Sequence, residues 1–138
     1  MKNFFLLIIL LINLSALSQN DSKTYYSAKA IHISFIDNAG KILLNKPDGN
    51  NVEIIYDNFF KSYYITYYTE DNKYVYNKYS YIRENEYGTK TMYDDNNNKN
   101  IFHVTDSVVK DSRIVIQLDQ KINGLTCFYI ISDVVKKK

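Results

Sequence analysis

Apolar and polar residues alternate along most of this chain with a period of two, and short polar clusters interrupt the alternation. Such alternation predicts β-strands, because successive side chains of a strand point to opposite faces of its sheet. The segments with this pattern are 25–36, 41–45, 52–56, 59–69, 74–83, 87–93, 101–105, 113–118 and 125–132. Only residues 105–112 could hold a helical turn. The chain is therefore predicted to be a β protein.

Turn-forming residues separate the predicted strands, at 37–40, 47–49, 71–72, 94–100 and 123–124. Because these connections are short, consecutive strands are expected to pair antiparallel in chain order, as a β-meander. We predict a single all-β domain of about 8 strands, closed into a small barrel or forming a strongly curved sheet. A two-sheet β-sandwich is the alternative architecture. The strand number resembles that of lipocalin-like barrels, a likeness of architecture that defines no function.

The dipeptide Asn123-Gly124 predicts a two-residue type I′ turn, because asparagine and glycine both accept its left-handed backbone conformations. The cross-strand pairs expected from this turn are Ile122–Leu125, Leu118–Tyr129 and Ile116–Ile131. One face of the hairpin then becomes apolar, with Ile114, Ile116, Leu118, Leu125, Cys127, Tyr129 and Ile131.

A second hairpin is predicted at Asp71-Asn72, with Glu70 opposite Lys73. One of its faces would carry Phe60, Ser62, Tyr64, Thr66, Tyr68, Val75, Asn77, Tyr79 and Tyr81. The other would carry Phe59, Lys61, Tyr63, Ile65, Tyr67, Tyr74, Tyr76, Lys78 and Ile82. We expect the first face to point inward, because two lysines lie in the middle of the second.

The second face is the candidate binding surface. Its proposed binding residues are Tyr63, Tyr67, Tyr74, Tyr76, Lys61 and Lys78. Tyrosine offers a flat apolar ring and a hydroxyl, which suits stacking on a glycan, a lipid headgroup or a partner protein. The competing interpretation is that the 14 tyrosines are simply good strand residues. The absence of tryptophan weakens the case for a glycan.

Charge and cysteine content narrow the range of partners. The net charge is +2, but the C-terminal lysines at 136–138 and Lys2 supply that excess, so no basic face for nucleic acid is expected. Cys127 is the only cysteine, which excludes an intramolecular disulfide. Its strand position, in phase with apolar neighbours, predicts a small buried hydrophobic residue.

Residues that could carry catalysis or hold a metal are sparse. His32 and His103 lie on separate predicted strands, and neither a Gly-x-Ser-x-Gly nor a His-Glu-x-x-His motif is present. The segment 94–100 begins like a calcium loop, but Lys99 stands where glycine is needed and Thr105 where glutamate is needed. We therefore predict no catalytic residue, no metal and no cofactor.

The expected function is that of an exported, non-catalytic binding or envelope-associated module. It would act through the aromatic face, or through a barrel interior that holds a small apolar ligand. Residues small enough to leave such room are Ala28, Ala30, Ser62, Thr66 and Gly88. The alternative is a small secreted hydrolase whose active groups the sequence does not identify.

Residues 1–18 are predicted to be a secretory signal peptide, with a positive start at Lys2, an apolar run over 4–12 and small residues near 16–18. A single domain would follow over 19–138, ending in a short basic tail. The apolar run is too short for a permanent membrane span, so a periplasmic or secreted protein is expected.

We expect the mature chain to begin at Gln19, because the small residues that a signal peptidase requires lie just before it. Intact-mass measurement of the protein purified from its source checks this. A mass that includes residues 1–18 would contradict the export prediction.

Overall fold

The computed structural model describes residues 22–96 and 99–138. The predicted signal peptide lies outside these residues. The strands are β1 (Lys23–Ile36), β2 (Ile42–Asp57), β3 (Ser62–Thr69), β4 (Tyr74–Glu84), β5 (Lys90–Asp94), β6 (Ile101–Ser107), β7 (Arg113–Leu118), β8 (Thr126–Ile131) and β9 (Val135–Lys136). One helical turn, α1 (Val108–Asp111), connects β6 to β7.

The strands form one antiparallel sheet that closes on itself. From β2 to β8 each strand pairs with the next, and β1 pairs with both β2 and β8. The short β9 pairs with β1 at Tyr26 and Ser27, beyond the end of β8. The predicted all-β meander and small barrel are confirmed, and the sandwich alternative is wrong. The helical turn also lies within the segment 105–112, where the sequence allowed one.

Large apolar side chains fill the barrel. An interior ringed by eight strands is just wide enough for side chains to fill. The largest fully buried side chains include Tyr63, Ile54, Ile65, Met92, Ile114, Ile116 and Ile131. They come from strands all around the ring, so the hydrophobic effect that stabilises the fold acts in one central core.

The predicted turn at 47–49 is wrong. β2 runs through Pro47-Asp48-Gly49 without interruption and joins the predicted strands 41–45 and 52–56. Ile31 pairs with Gly49 and His32 pairs with Pro47, so Asp48 is the extra residue of a β-bulge. A bulge tolerates proline because its backbone leaves the regular ladder.

The Asn-Gly turn is confirmed. Ile122 and Leu125 form a bridge, and Asn123 and Gly124 have φ values of 50° and 77°. These values fit a type I′ turn.

The predicted pairing further along that hairpin is wrong by two residues. Ile116 pairs with Tyr129, and Ile114 pairs with Ile131. The predicted apolar face survives because side chains alternate with a period of two, so a shift of two residues keeps each one on its face.

Gly49 is required by close packing. A Cβ at this position would overlap the Tyr67 ring and lie 2.7 Å from the Tyr68 carbonyl oxygen. The ring is held in place because its hydroxyl donates a hydrogen bond of 2.8 Å to Asp48 Oδ2.

We expect Gly49→Ala to lower the free energy of unfolding by about 3 kcal/mol, because the added methyl overpacks a rigid contact. The control is Gly40→Ala, where nothing lies within 4 Å and only the positive φ of 81° is strained. That variant should lose about 1 kcal/mol. Urea denaturation measures both, and equal losses would contradict the packing explanation.

Candidate functional site on the outer face of the barrel

The β3–β4 hairpin has a three-residue turn. The Thr69 amide donates a hydrogen bond to the Lys73 carbonyl, and Asn72 has a left-handed φ of 58°. Tyr68 consequently pairs with Tyr74. The predicted two-residue turn, with Glu70 opposite Lys73, is wrong by one residue. A one-residue shift exchanges the faces of one strand relative to the other.

This register divides the predicted binding surface between two faces of the sheet. Tyr63 and Tyr67 are buried in the core, at 0% and 5% exposure. Tyr74 and Tyr76 lie outside, at 60% and 48% exposure. The prediction that the four tyrosines share one surface is therefore wrong. The register places the odd-numbered residues of both strands inside, which buries Ile65 together with the two inner tyrosines.

Two tyrosines that were expected inside complete the outer surface. Tyr68 contacts Tyr74 with ring centroids 5.5 Å apart, and Tyr64 lies 6.4 Å from Tyr76. We call this surface, made of Tyr64, Tyr68, Tyr74 and Tyr76, the outer aromatic groove. These tyrosines are visible in the sequence. Whether they face outward depends on the register of the hairpin, which the length of the β3–β4 turn sets.

The groove consists of two adjoining depressions of about 370 and 280 Å³. They share Glu53, Thr66 and Tyr74. The first also contacts Ser27, Ala28, Asn51, Val52 and Tyr68, and the second contacts Lys23, Ile55, Tyr64 and Tyr76. Together they combine aromatic rings with hydroxyl, amide and charged groups.

Lysine and carboxylate pairs flank the groove. Lys78 Nζ lies 5.7 Å from the centroid of the Tyr64 ring and forms a salt bridge of 2.8 Å with Asp95. The hydrogen bond to Asp95 holds the pKa of Lys78 above its usual value. Glu53 pairs with Lys137 at 2.6 Å. Both pairs are partly exposed to water, so they set the local charge and add little to stability.

The other predicted lysine is separate from the groove. Lys61 lies in the β2–β3 turn with a positive φ of 51°, and its Nζ is 4.9 Å from the centroid of the Tyr81 ring. Lys78 and the outer tyrosines Tyr74 and Tyr76 are therefore the predicted binding residues that the structure brings together.

The inner tyrosines make hydrogen bonds to carboxylates. The Tyr63 hydroxyl donates to Asp106 Oδ2 at 2.7 Å, much as Tyr67 donates to Asp48. Burial, strengthened by the neighbouring carboxylates, raises the pKa of both tyrosines well above the usual value. Their hydroxyls are thus satisfied within the fold, which is what a buried tyrosine requires.

The hypothesis of an interior ligand loses support at Gly88, which lies in the β4–β5 turn, and at Thr66, which lies on the outer face between Tyr64 and Tyr68. Ala28 also lines the groove, but it packs in the core as well. Ala28 and Ser62 are buried and Ala30 is half-buried. Large side chains occupy the core around them.

One histidine has polar partners on the outer surface. His103 Nε2 lies 2.8 Å from Asp119 Oδ1, and its Nδ1 lies 3.4 Å from Thr91 Oγ1. A hydrolase would need such a set of groups, but the Asp119 side chain is 59% exposed, so water screens its charge. His32 is half-buried.

In residues 22–96 and 99–138, the cysteine is buried and the potential metal ligands are scattered. Cys127 is buried and unpaired, as predicted, and burial raises the pKa of its thiol, which disfavours the reactive thiolate. Within the same ranges no group of three or more histidine, cysteine or acidic residues could hold a metal ion.

A comparison of this chain with protein-family models, curated proteins and solved structures finds no match. In the part of the chain that the structure describes, no helix has the length and apolar character needed to cross a membrane. What the protein does must therefore be inferred from the geometry of its surfaces.

We expect alkaline pH to destabilise the fold through its inner tyrosines. The pKa values of Tyr63, Tyr67 and Tyr79 are raised by burial, and that of Tyr129 is raised to about 12, whereas the ordinary pKa of tyrosine is 10.0. At alkaline pH the folded chain therefore keeps tyrosine protons that the unfolded chain releases. The stability that these buried neutral tyrosines contribute is complete below pH 10 and is lost as pH rises above it.

Tyrosinate absorbance and circular dichroism, recorded together during titration with base, check this expectation. The absorbance of the inner tyrosines should appear with the loss of the β spectrum. Complete ionisation of all tyrosines in a chain that keeps its β spectrum would contradict it.

Proposed function

We propose that the protein is an exported, non-catalytic binding module that holds an extended segment of a partner protein in its outer aromatic groove. The observation that supports this most is the clustering of four tyrosine rings on one open face of β3 and β4. Large exposed aromatic clusters leave apolar area in water, and such patches commonly mark interaction sites.

Tyrosine is well suited to anchor a partner. Its ring has only two rotatable side-chain bonds, so it loses little conformational entropy when it is fixed, and its hydroxyl can still donate a hydrogen bond. Tyrosine is also one of the residues most enriched among those that carry binding energy at interfaces. Tyr74 and Tyr76 stand out as anchors because they remain at least 48% exposed.

The shape and polarity of the groove favour an extended peptide. Its lining comes from β1, β2, β3 and β4, and polar groups such as Thr66, Asn51 and Glu53 lie beside the rings. Such polar groups can pair with the amides of a peptide, while the rings contact its side chains. A glycan is the competing ligand, and the lack of tryptophan speaks against it.

A photo-reactive phenylalanine analogue at position 76 tests the groove directly in the cells that produce the protein. We expect one discrete cross-linked product in which peptide mass spectrometry identifies a second protein and whose size glycosidase digestion does not change. The same analogue at Tyr87, which is 83% exposed but remote from the groove, is the control and should not give that product. A product from both positions, or one that contains no second protein, would contradict the proposal.

The double variant Tyr74→Ser, Tyr76→Ser should weaken binding of the identified partner at least about 100-fold, since each anchoring ring contributes about 2 kcal/mol. Both residues are exposed, so unfolding by urea should be little changed. Tyr87→Ser is the matched control and should bind like the original protein. Unchanged binding by the double variant would rule out the groove as the site.

A further inference from the structure

We propose that one end of the barrel docks on the surface of an anionic lipid bilayer. In an up-and-down meander every second connection lies at the same end. The β2–β3 turn, the β4–β5 turn and α1 therefore share one end, together with the C-terminal segment that follows β8. We call this end the basal rim. It is distinct from the outer aromatic groove, which lies on the side of the barrel.

Each of the three connections on the basal rim exposes apolar side chains. Phe59 and Phe60 in the β2–β3 turn are 78% and 64% exposed, and their rings contact each other with centroids 4.9 Å apart. Tyr87 in the β4–β5 turn is 83% exposed. Val109 in α1 is fully exposed, at 104%. These are the four most exposed large hydrophobic residues in residues 22–96 and 99–138.

Polar side chains, not the apolar ones, fix the shape of these connections. Asp57 Oδ1 accepts hydrogen bonds of 3.0 Å from the amides of Phe59 and Phe60. Asn85 Oδ1 accepts bonds of 3.0 and 2.9 Å from the amides of Tyr87 and Thr89. Such turns form with almost any residue at the tip. The apolar side chains at the tips therefore contribute little to the fold and are held out toward solvent by ordered backbone.

The third connection is built in the same way. Asp106 Oδ1 accepts a hydrogen bond of 3.0 Å from the Val108 amide, while its other oxygen binds Tyr63. Ser112 ends α1 with a left-handed φ of 49°. The neighbouring Val109 points away from the core.

Cations surround these apolar tips. Eight exposed lysine and arginine residues lie at this end, namely Lys23, Lys61, Arg83, Lys110, Arg113, Lys136, Lys137 and Lys138; of these, Lys23 also lines the groove and Lys137 is paired with Glu53. The exposed carboxylates there are four, namely Glu84, Glu86, Asp111 and Asp133. Counted in the same way among the described residues, the other end carries four exposed carboxylates, Glu70, Asp71, Asp95 and Asp119, and five exposed lysines, Lys41, Lys46, Lys73, Lys99 and Lys121. The excess of positive charge is thus larger at the end with the exposed tips.

This combination fits an anionic lipid surface better than a protein. Apolar tips can enter the boundary between headgroups and acyl chains, while lysine and arginine side chains stay among the phosphates. The tips come from three separate turns at the same end of the barrel, and a bilayer surface can contact all three at once. A protein partner would have to supply three separate pockets.

Flotation with lipid vesicles tests the proposal. The purified chain is used, with its N-terminal residue identified by mass measurement beforehand. Vesicles of equimolar phosphatidylcholine and phosphatidylglycerol should bind the protein, and vesicles of phosphatidylcholine alone should bind it at least tenfold less. High salt should release it, because salt screens the attraction between lysines and phosphates. Equal binding to both kinds of vesicle, or no binding, would overturn the proposal.

The variant Phe59→Ser, Phe60→Ser should reduce binding to the anionic vesicles about tenfold, because two apolar tips no longer leave water. Lys61→Gln, Lys110→Gln should reduce it about fivefold per charge removed. Leu43→Ser, Leu44→Ser is the matched control, since those residues are 51% and 42% exposed at the opposite end of the barrel. It should bind like the original protein.

Unchanged binding by the phenylalanine variant, or an equal loss in the leucine control, would overturn the assignment of the basal rim. Should the phenylalanine variant fail to fold by circular dichroism, Tyr87→Ser, Val109→Ser makes the same test at the other two connections. The groove variant Tyr74→Ser, Tyr76→Ser should keep its vesicle binding, so the failure of one proposal is distinguishable from the failure of the other.

Discussion

The rest of the structure depends on the closure of the sheet by β1. This strand pairs with β2 along its length, with β8 through residues 31–36 and with β9 at residues 26 and 27. Closure gives each strand of the ring two neighbours, so backbone amides and carbonyls are paired without an open sheet edge. It also creates a single enclosed core. The one cysteine is buried and unpaired, so the barrel is stabilised by this core and its hydrogen bonds without a covalent cross-link.

A closed sheet has one inner and one outer face, and the tyrosines on the two faces have different roles. Inside, Tyr63 and Tyr67 fill volume and donate hydrogen bonds to Asp106 and Asp48. Outside, the same residue type forms the aromatic groove, where rings contact one another and remain open to solvent. The abundance of tyrosine thus has no single explanation: part of it belongs to the core and part to the surface from which we infer binding.

Local patterns were enough to predict the class of fold and the meander. Alternation fixes strand identity, and the Asn-Gly turn was placed correctly because only two residues and their backbone preferences decide it. The Pro47-Asp48-Gly49 turn was wrong because a bulge and a tyrosine packed on glycine, both tertiary effects, allow the strand to continue.

The candidate site was harder to predict because both faces of the β3–β4 hairpin are rich in tyrosine. Where one face is clearly polar, the burial of the other fixes the register, but here the pattern gave no such preference. The choice between a two-residue and a three-residue turn then exchanged Tyr63 and Tyr67 with Tyr64 and Tyr68. The attraction expected between Glu70 and Lys73 is a surface interaction and is too weak to outweigh core packing.

The closure of the barrel also constrains the order in which the chain can fold. β1 is synthesised before the other described strands, yet its partner β8 follows only after six further strands. Until β8 has been synthesised, residues 31–36 of β1 lack their partner strand on one side. Contacts between such distant segments form slowly because a long loop has to close. A nascent chain of this protein therefore cannot close the barrel, and stays accessible to a chaperone, until β8 has been synthesised.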